Sequence, residues 1–269
     1  MTKNPCYTAG KTITVKGLML HSVGCAQPKA SVFINKWNSA SYDRACVHGF
    51  IDGNDGTVYQ TLPWNHRGWH CGGTGNNTHI GVEMCEPACI KYTSGSNFTC
   101  SDTATAQTVA KRTYEAAVEL FAMLCKEYSL DPLTAICSHK EGCAKGIASN
   151  HGDPEHLWTG LGLSYTMDTF RQAVKTAMTS TTTASTTTTA STDTTAATTT
   201  TSTPFLVRVD ITTLNIRKGA GTNYAKTGKY TGKGVFTITE IKSGKGSTAG
   251  WGKLKSGLGW VSLDYCTKI

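Results

Sequence analysis

The chain has no apolar run near the roughly 20 residues needed to cross a bilayer as a helix, so no membrane span is expected. Its first residues, MTKNPCYTAGKTITVKG, lack the apolar central stretch and small-residue cleavage site of a secretory signal. Synthesis in a cytoplasm without classical export is the expectation. Tandem Cys-x-x-Cys pairs are absent among the 11 cysteines, and an odd count leaves at least one outside any intramolecular disulfide. Without a secretory signal, reduced thiols are expected. Cys85 with Cys89, and Cys137 with Cys143 around His139, make only a weak case for a structural zinc site. The DGNDG stretch lacks the glutamate and spacing of a calcium loop and reads as a turn.

Charge is also scarce, at 16% of residues, and unevenly placed. From residue 204 onward eleven Lys and Arg face three Asp and Glu, so this segment carries +8, the whole formal net charge. An anionic partner is implied, and charge alone does not choose between nucleic acid and the polyanionic polymers of a bacterial wall. Residues 179–203 are almost nothing but Thr, Ser and Ala. With no apolar side chain larger than Ala, they cannot offset the entropy of ordering. They read as a flexible linker between a first domain, residues 1–178, and a second, residues 204–269.

In the first domain, residues 11–22 alternate and then turn apolar, which predicts a strand ending at His21. A short helix is predicted over 31–38, a hairpin over 47–60 around Asn-Asp-Gly, and a core strand over 79–84. Residues 102–128 carry the strongest helical pattern, with Val109, Ala116, Val118, Leu120, Phe121 and Leu124 on one apolar face. Ser101 or Asp102 caps its start, and Asp131-Pro132 ends it. A last helix is predicted over 167–178. The expected fold class is α/β, a mixed sheet with flanking helices. After the linker, LVRVDITTLNIR, GKYTGKGVFTITEI and GWGKLKSGLGWVSL alternate between Gly-rich turns, as in a small all-β barrel of about five strands.

Three polar positions from separate parts of the chain make chemical sense together: His21 at a strand end, His139 in ICSHKEG and Asp153 in SNHGDPEHLW. Two histidines and a carboxylate form a recognised zinc set with a fourth place left for water. Zinc uses that opening to acidify its water and polarise an amide carbonyl. A single strand histidine is more often structural and Asp-Pro more often a turn, so the residues alone leave the set open.

The order of motifs adds to this. Strand-His21, YQTLPWNHRGWHCGG, HIGVE, the long helix, SHKEG and ASNHGDPEHLW follow one another as in N-acetylmuramoyl-L-alanine amidases. These zinc amidases are related to phage lysozyme-amidases and peptidoglycan recognition proteins, and the resemblance covers residues 15–170. It implies zinc held by His21, His139 and Asp153, the last in the place of a Cys or Asp before a proline. It places His151 where relatives carry a basic residue two positions before the third ligand, suited to an oxyanion or a proton. Glu83 matches an acidic position that some members use to activate water, and a carboxylate inside an apolar strand is costly without a task. Some relatives instead use a hairpin tyrosine, a position taken here by His48, so the base is Glu83 or His48. Trp64, His66, Arg67, Trp69 and His70 fall in a loop that lines the groove in the family, although each Trp is equally at home in a core.

TLNIRKGAGTNY, GKGVFTI and GWGKLKSGLGWVSLDYC resemble bacterial SH3-like domains over residues 207–265, with LN-x-R-x-G early and paired GW late. Such domains bind wall peptides or glycopolymers. The two resemblances imply a zinc-dependent enzyme that cuts the amide between N-acetylmuramic acid and L-alanine. Its partners are peptidoglycan and anionic wall polymers, with neither nucleic acid nor membrane expected. A wall enzyme made in the bacterial cytoplasm without a signal peptide suggests a phage or prophage endolysin that acts on the wall after release. A host autolysin of the same chemistry, or a peptidoglycan-binding protein that does not cut, are the alternatives.

Overall fold

In a computed structural model, which describes residues 1–180 and 205–268, the chain divides into two units, Met1–Met178 and Thr179–Ile269. The first runs α1 (Pro5–Thr8), β1 (Gly17–Ser22), α2 (Ala30–Trp37), β2 (Gly49–Ile51), β3 (Val58–Gln60), β4 (His79–Met84), β5 (Ile90–Ser94), β6 (Asn97–Cys100), α3 (Thr103–Glu127), α4 (Pro132–Ala135), β7 (Ile136–Ser138), α5 (His139–Ala144), α6 (Glu155–Gly160) and α7 (Met167–Ser180). A 3-10 turn spans Thr74–Asn77.

The sheet order is β3-β2-β4-β1-β7. The β2/β3 hairpin is antiparallel, and the β2/β4, β4/β1 and β1/β7 pairs are parallel. Strand β1 is buried along its whole length, as a parallel strand between two neighbours must be, and its GLML run supplies the apolar side chains. Helix α3 lies against β2 and β4. Its cap is Asp102, whose side chain accepts from Thr105 N at 3.0 Å. Of the apolar face read from the sequence, Leu120, Phe121 and Leu124 are buried, whereas Val109, Ala116 and Val118 are half-buried. Ala106, Ala110, Tyr114 and Ala117 complete the buried stripe. Small residues there let the helix sit close to its neighbours. The antiparallel β5/β6 hairpin stands apart from the main sheet and packs with α3 and α6 through Ile90, Ala106, Ala110, Leu157 and Leu161. The mixed sheet with flanking helices matches the sequence expectation for this unit.

The expected linker, residues 179–203, lies outside the described residues except for its first two, which belong to α7. The second unit holds β8 (Phe205–Val209), β9 (Asn215–Arg217), β10 (Lys226–Tyr230), β11 (Gly234–Lys242), β12 (Trp251–Leu254), β13 (Trp260–Ser262) and β14 (Thr267–Lys268). Its antiparallel pairs follow the path β14-β8-β11-β12-β13-β9-β10. Val207, Val209, Ile216, Phe236, Ile238, Leu254 and Val261 fill its core. Among the described residues no pair joins β10 to β14, so the unit is all-β as expected but its ladder is not a closed barrel. The ends explain this: β14 has two residues, and the β9/β10 register shifts between Lys226 and Tyr230.

Candidate metal centre

The parallel strands deliver polar side chains at their carboxyl ends, where open α/β sheets present their sites. His21, next to last in β1, is in register with Glu83 of β4, so both leave the sheet on one face. His139 opens α5 directly after β7. A capping box fixes that corner: Ser138 Oγ accepts from Glu141 N at 3.0 Å, and Glu141 Oε2 accepts from Ser138 N at 3.2 Å. Arg171 then clamps Glu141 through bonds of 2.8 and 3.0 Å. Asp153 enters just before α6, with Ser138 Oγ donating to Glu155 Oε1 at 2.7 Å. Ser22 N donates to Asp153 Oδ2 at 3.4 Å.

The structure brings His21, His139 and Asp153 together, all buried. The two Nδ1 atoms are 3.1 Å apart, and Asp153 oxygens lie 3.2 Å from His21 Nδ1 and 3.5 Å from His139 Nδ1. The first contact is made by Oδ2 and the second by Oδ1, and ligands at zinc distances of about 2.0–2.1 Å in a tetrahedron stand about 3.3 Å from one another, so these separations are close to those of a zinc shell. No other cluster of this kind occurs among the described residues, and all eleven cysteines are free.

The placement of protons supports a cation. A carbonyl only accepts, so His70 Nε2, 3.1 Å from His79 O, carries a proton. Burial, reinforced by His21 and His48, lowers the His70 pKa well below its usual value and keeps the ring neutral. Its Nδ1 therefore accepts from His21 Nε2 at 3.0 Å, which leaves His21 Nδ1 bare. Ser149 donates to Cys71 O at 3.2 Å and accepts from His139 Nε2 at 3.2 Å, which leaves His139 Nδ1 bare too. These tautomers follow from the hydrogen-bond network. Burial lowers the pKa of His21 and resists protonation there. Two bare ring nitrogens beside a carboxylate suit a metal ion.

Glu83 and His48 separate clearly. His48 Nδ1 accepts from Gly81 N at 3.0 Å and Nε2 donates to His66 O at 2.8 Å. Burial holds its pKa down at about 4. With both nitrogens committed, this ring supports the loop and has no site for a substrate proton. Glu83 is half-buried, and its Oε2 is enclosed with no hydrogen-bond partner. Burial first, then the Asp153 and Glu86 charges, push its pKa well above the usual carboxylate value. A cation on the ligand set would draw it back down. His151 is exposed, with Nδ1 3.0 Å from Ser149 Oγ and its ring 4.5 Å from that of His139.

The loop after β3 divides its residues between core and surface. Trp64 is 4% exposed and Trp69 43%, with the Arg67 guanidinium 5.3 Å above the Trp69 ring. His70 turns inward behind His21, an orienting role that the sequence reading, which placed His70 in a groove-lining loop, did not foresee. Gly81 is the signal that was available: a Cβ there would lie against the His70 ring, too close for any side chain. A glycine within a strand marks such a close approach.

A sequence model of the N-acetylmuramoyl-L-alanine amidase family matches residues 11–156, more than half of the chain. Among curated proteins, the N-acetylmuramoyl-L-alanine amidase XlyA of Bacillus subtilis is 50% identical over 38 residues, 13% of this chain and 13% of its own length. CwlH of the same species, another N-acetylmuramoyl-L-alanine amidase, is 49% identical over 39 residues, 13% of this chain and 16% of its own length. Both matches therefore span a small fraction of those relatives. Among solved structures, the Staphylococcus aureus hydrolase AmiA, in complex with its ligand, is 18% identical with a TM-score of 0.47, covering 66% of this chain and 78% of that one.

Proposed function

This chain belongs to the N-acetylmuramoyl-L-alanine amidase family, and from that premise we propose that it hydrolyses the amide joining N-acetylmuramic acid to L-alanine in peptidoglycan. The observation that carries the reading is the convergence of three bare ligand atoms from His21, His139 and Asp153 beside an enclosed carboxyl, Glu83. These three residues would hold zinc, which when bound supplies Lewis-acid polarisation of the scissile carbonyl and a more acidic water. Glu83 takes the proton of the attacking water and returns it to the leaving amine, the work of a carboxyl held beside the ligand set. His151, exposed at the rim, donates to the oxygen on which charge develops. Ser149 touches both His139 and His151 and fixes their relative orientation.

The basic second unit serves as an SH3-like module that holds the enzyme on peptidoglycan and its anionic polymers. A flexible connection lets one bound molecule sample many bonds. The same reading makes the protein a phage or prophage endolysin, synthesised in the bacterial cytoplasm and acting on the wall after release.

The test is digestion of purified walls by wild type and His139→Ala, with and without a chelator. New amino termini on L-alanine, without new reducing sugar ends, are expected from the wild type alone, lost on chelation and restored by zinc. Reducing ends instead, or full activity in the variant, would overturn the reading. Retention on walls with no cleavage would leave binding as the function.

A further inference from the structure

Behind the ligand set lies a group that the proposed chemistry does not use: the buried Glu86 with the half-buried Tyr92 and His156. Glu86 follows β4 and is fully buried. Its Oε1 accepts from Gly24 N at 3.1 Å, three residues after His21. The Tyr92 hydroxyl, on β5, donates to Glu86 Oε2 at 2.7 Å and lies 2.6 Å from His156 Nε2. His156 is in α6, three residues after Asp153, with its Nε2 3.9 Å from Glu86 Oε1. One tyrosine oxygen thus joins the segment leaving β1, which carries His21, to the segment entering α6, which carries Asp153.

The proton count makes Tyr92 the joint. A phenol has one O–H, so with two polar neighbours it donates to one and accepts from the other. With Glu86 ionised, Tyr92 donates to it and His156 Nε2–H donates to the phenol oxygen. With the proton on Glu86 the chain reverses, and both bonds remain. Packing holds the same geometry. The Tyr92 ring lies 5.7 Å from Phe98 and 5.8 Å from His156, and Phe98 is 6.4 Å from His156. Phe98 also occupies the space a side chain at position 160 would need, which seats the β5/β6 hairpin on α6.

We propose that Tyr92, through Glu86 and His156, is a positioning residue for the metal centre that sets the separation between the His21 and Asp153 ligand atoms. The inference rests on the proposed centre and adds to it a task for the β5/β6 hairpin. Partners that bond a ligand directly lower metal affinity by about 10–100-fold when removed, and Tyr92, which acts one contact further out, belongs at the lower end of that range. Tyr92→Phe is the minimal perturbation, since it keeps the ring packing and removes both hydrogen bonds.

The experiment titrates the full chain with zinc against a chromophoric chelator and records the visible absorption of the cobalt-substituted protein, which reports ligand geometry. Tyr92→Phe is expected to bind zinc about 10-fold more weakly and to shift the cobalt bands. Thermal melting in chelator checks that it folds. His156→Gln, whose amide restores a donor and acceptor near the position of Nε2, is expected to keep most of the affinity that His156→Ala loses. Unchanged zinc affinity and cobalt bands in Tyr92→Phe, with only the melting temperature lowered, would reduce the trio to structural support and overturn the inference alone. Failure of the wild type to bind either metal would overturn both this inference and the proposed centre.

Discussion

Replacing His70 by Leu tests the claim that His21 presents a bare Nδ1 because its other nitrogen is tied down. His70 Nδ1 lies 3.0 Å from His21 Nε2, and its own Nε2 is anchored on His79 O at 3.1 Å. Leucine fills much of the ring's volume against Gly81 but offers no acceptor. His21 then keeps a buried N–H without a partner or turns its proton toward the ligand set, where it blocks a metal. An unpartnered buried donor costs about 1–3 kcal/mol. At 1.4 kcal/mol per decade, zinc dissociation constants should rise by about 5-fold to 150-fold. His70→Asn places an amide oxygen near the position of Nδ1 and should recover most of the loss.

The assay is zinc titration by chelator competition for the three proteins, followed by wall digestion at saturating zinc. The leucine variant should be weak in binding yet regain activity when metal is in excess, because His70 does not touch the reacting atoms. Zinc affinity equal to wild type would show that the His21 tautomer is not set by His70, and the proton argument for the centre would fail. Weak activity at saturating zinc would place His70 in the chemistry instead.

Glu83→Gln should retain zinc while losing about 10²–10⁴-fold in turnover. The wild-type rate should climb with pH as Glu83 ionises, and a rate limb left unchanged in the variant would remove Glu83 from the base role. In chelator, Glu86 should make the protein lose stability as pH rises from its ordinary 4.5 to about 7, because burial raises its folded pKa and favours the neutral form. The loss is about 3 kcal/mol by linkage, read from denaturant melts across that range; stability that rises with pH there would contradict the assignment. Leu120→Ala, at a position 1% exposed in α3, should cost about 2–5 kcal/mol in the same melts. A chain ended after residue 178 should still cleave soluble muramyl peptides but lose salt-sensitive retention on walls, as expected if the +8 lies beyond residue 204; undiminished retention would remove the second unit from wall binding.

Strand β4, the cap at Asp102 and helices α2, α3 and α7 were legible because period and capping are local signals. The three ligand candidates came by a different route: metal chemistry suggested which residue types belong together, and the order of motifs shared with the family singled out these positions. The helix face was read less well. Ala106, Ala110 and Ala117 are too small to register as apolar anchors, yet close packing selects them for that reason. The β5/β6 hairpin went unread, since Ile90–Ser94 and Asn97–Cys100 mix Lys, Thr, Ser and Asn with few apolar side chains. Its single apolar stripe meets α6, which lies far along the chain. His70 and Glu86 act through other residues, and no local pattern reports who stands behind a ligand. Barrel closure depends on the pairing of the end strands, which composition does not specify.

The choice of counter-charges explains why this corner is a site at all. Asp153, Glu83 and Glu86 crowd one buried region and raise or oppose one another's ionisation. Among the described residues, the ion pairs of Asp153 and Glu86 are all with histidines. A lysine or arginine would neutralise these carboxyls permanently and occupy the space between them. A buried histidine does the opposite, since desolvation keeps it neutral and leaves a lone pair to offer. The polar interior is therefore short of positive charge while being rich in ligand atoms. Binding a dication satisfies both conditions at one point, and the arrangement is costly without it.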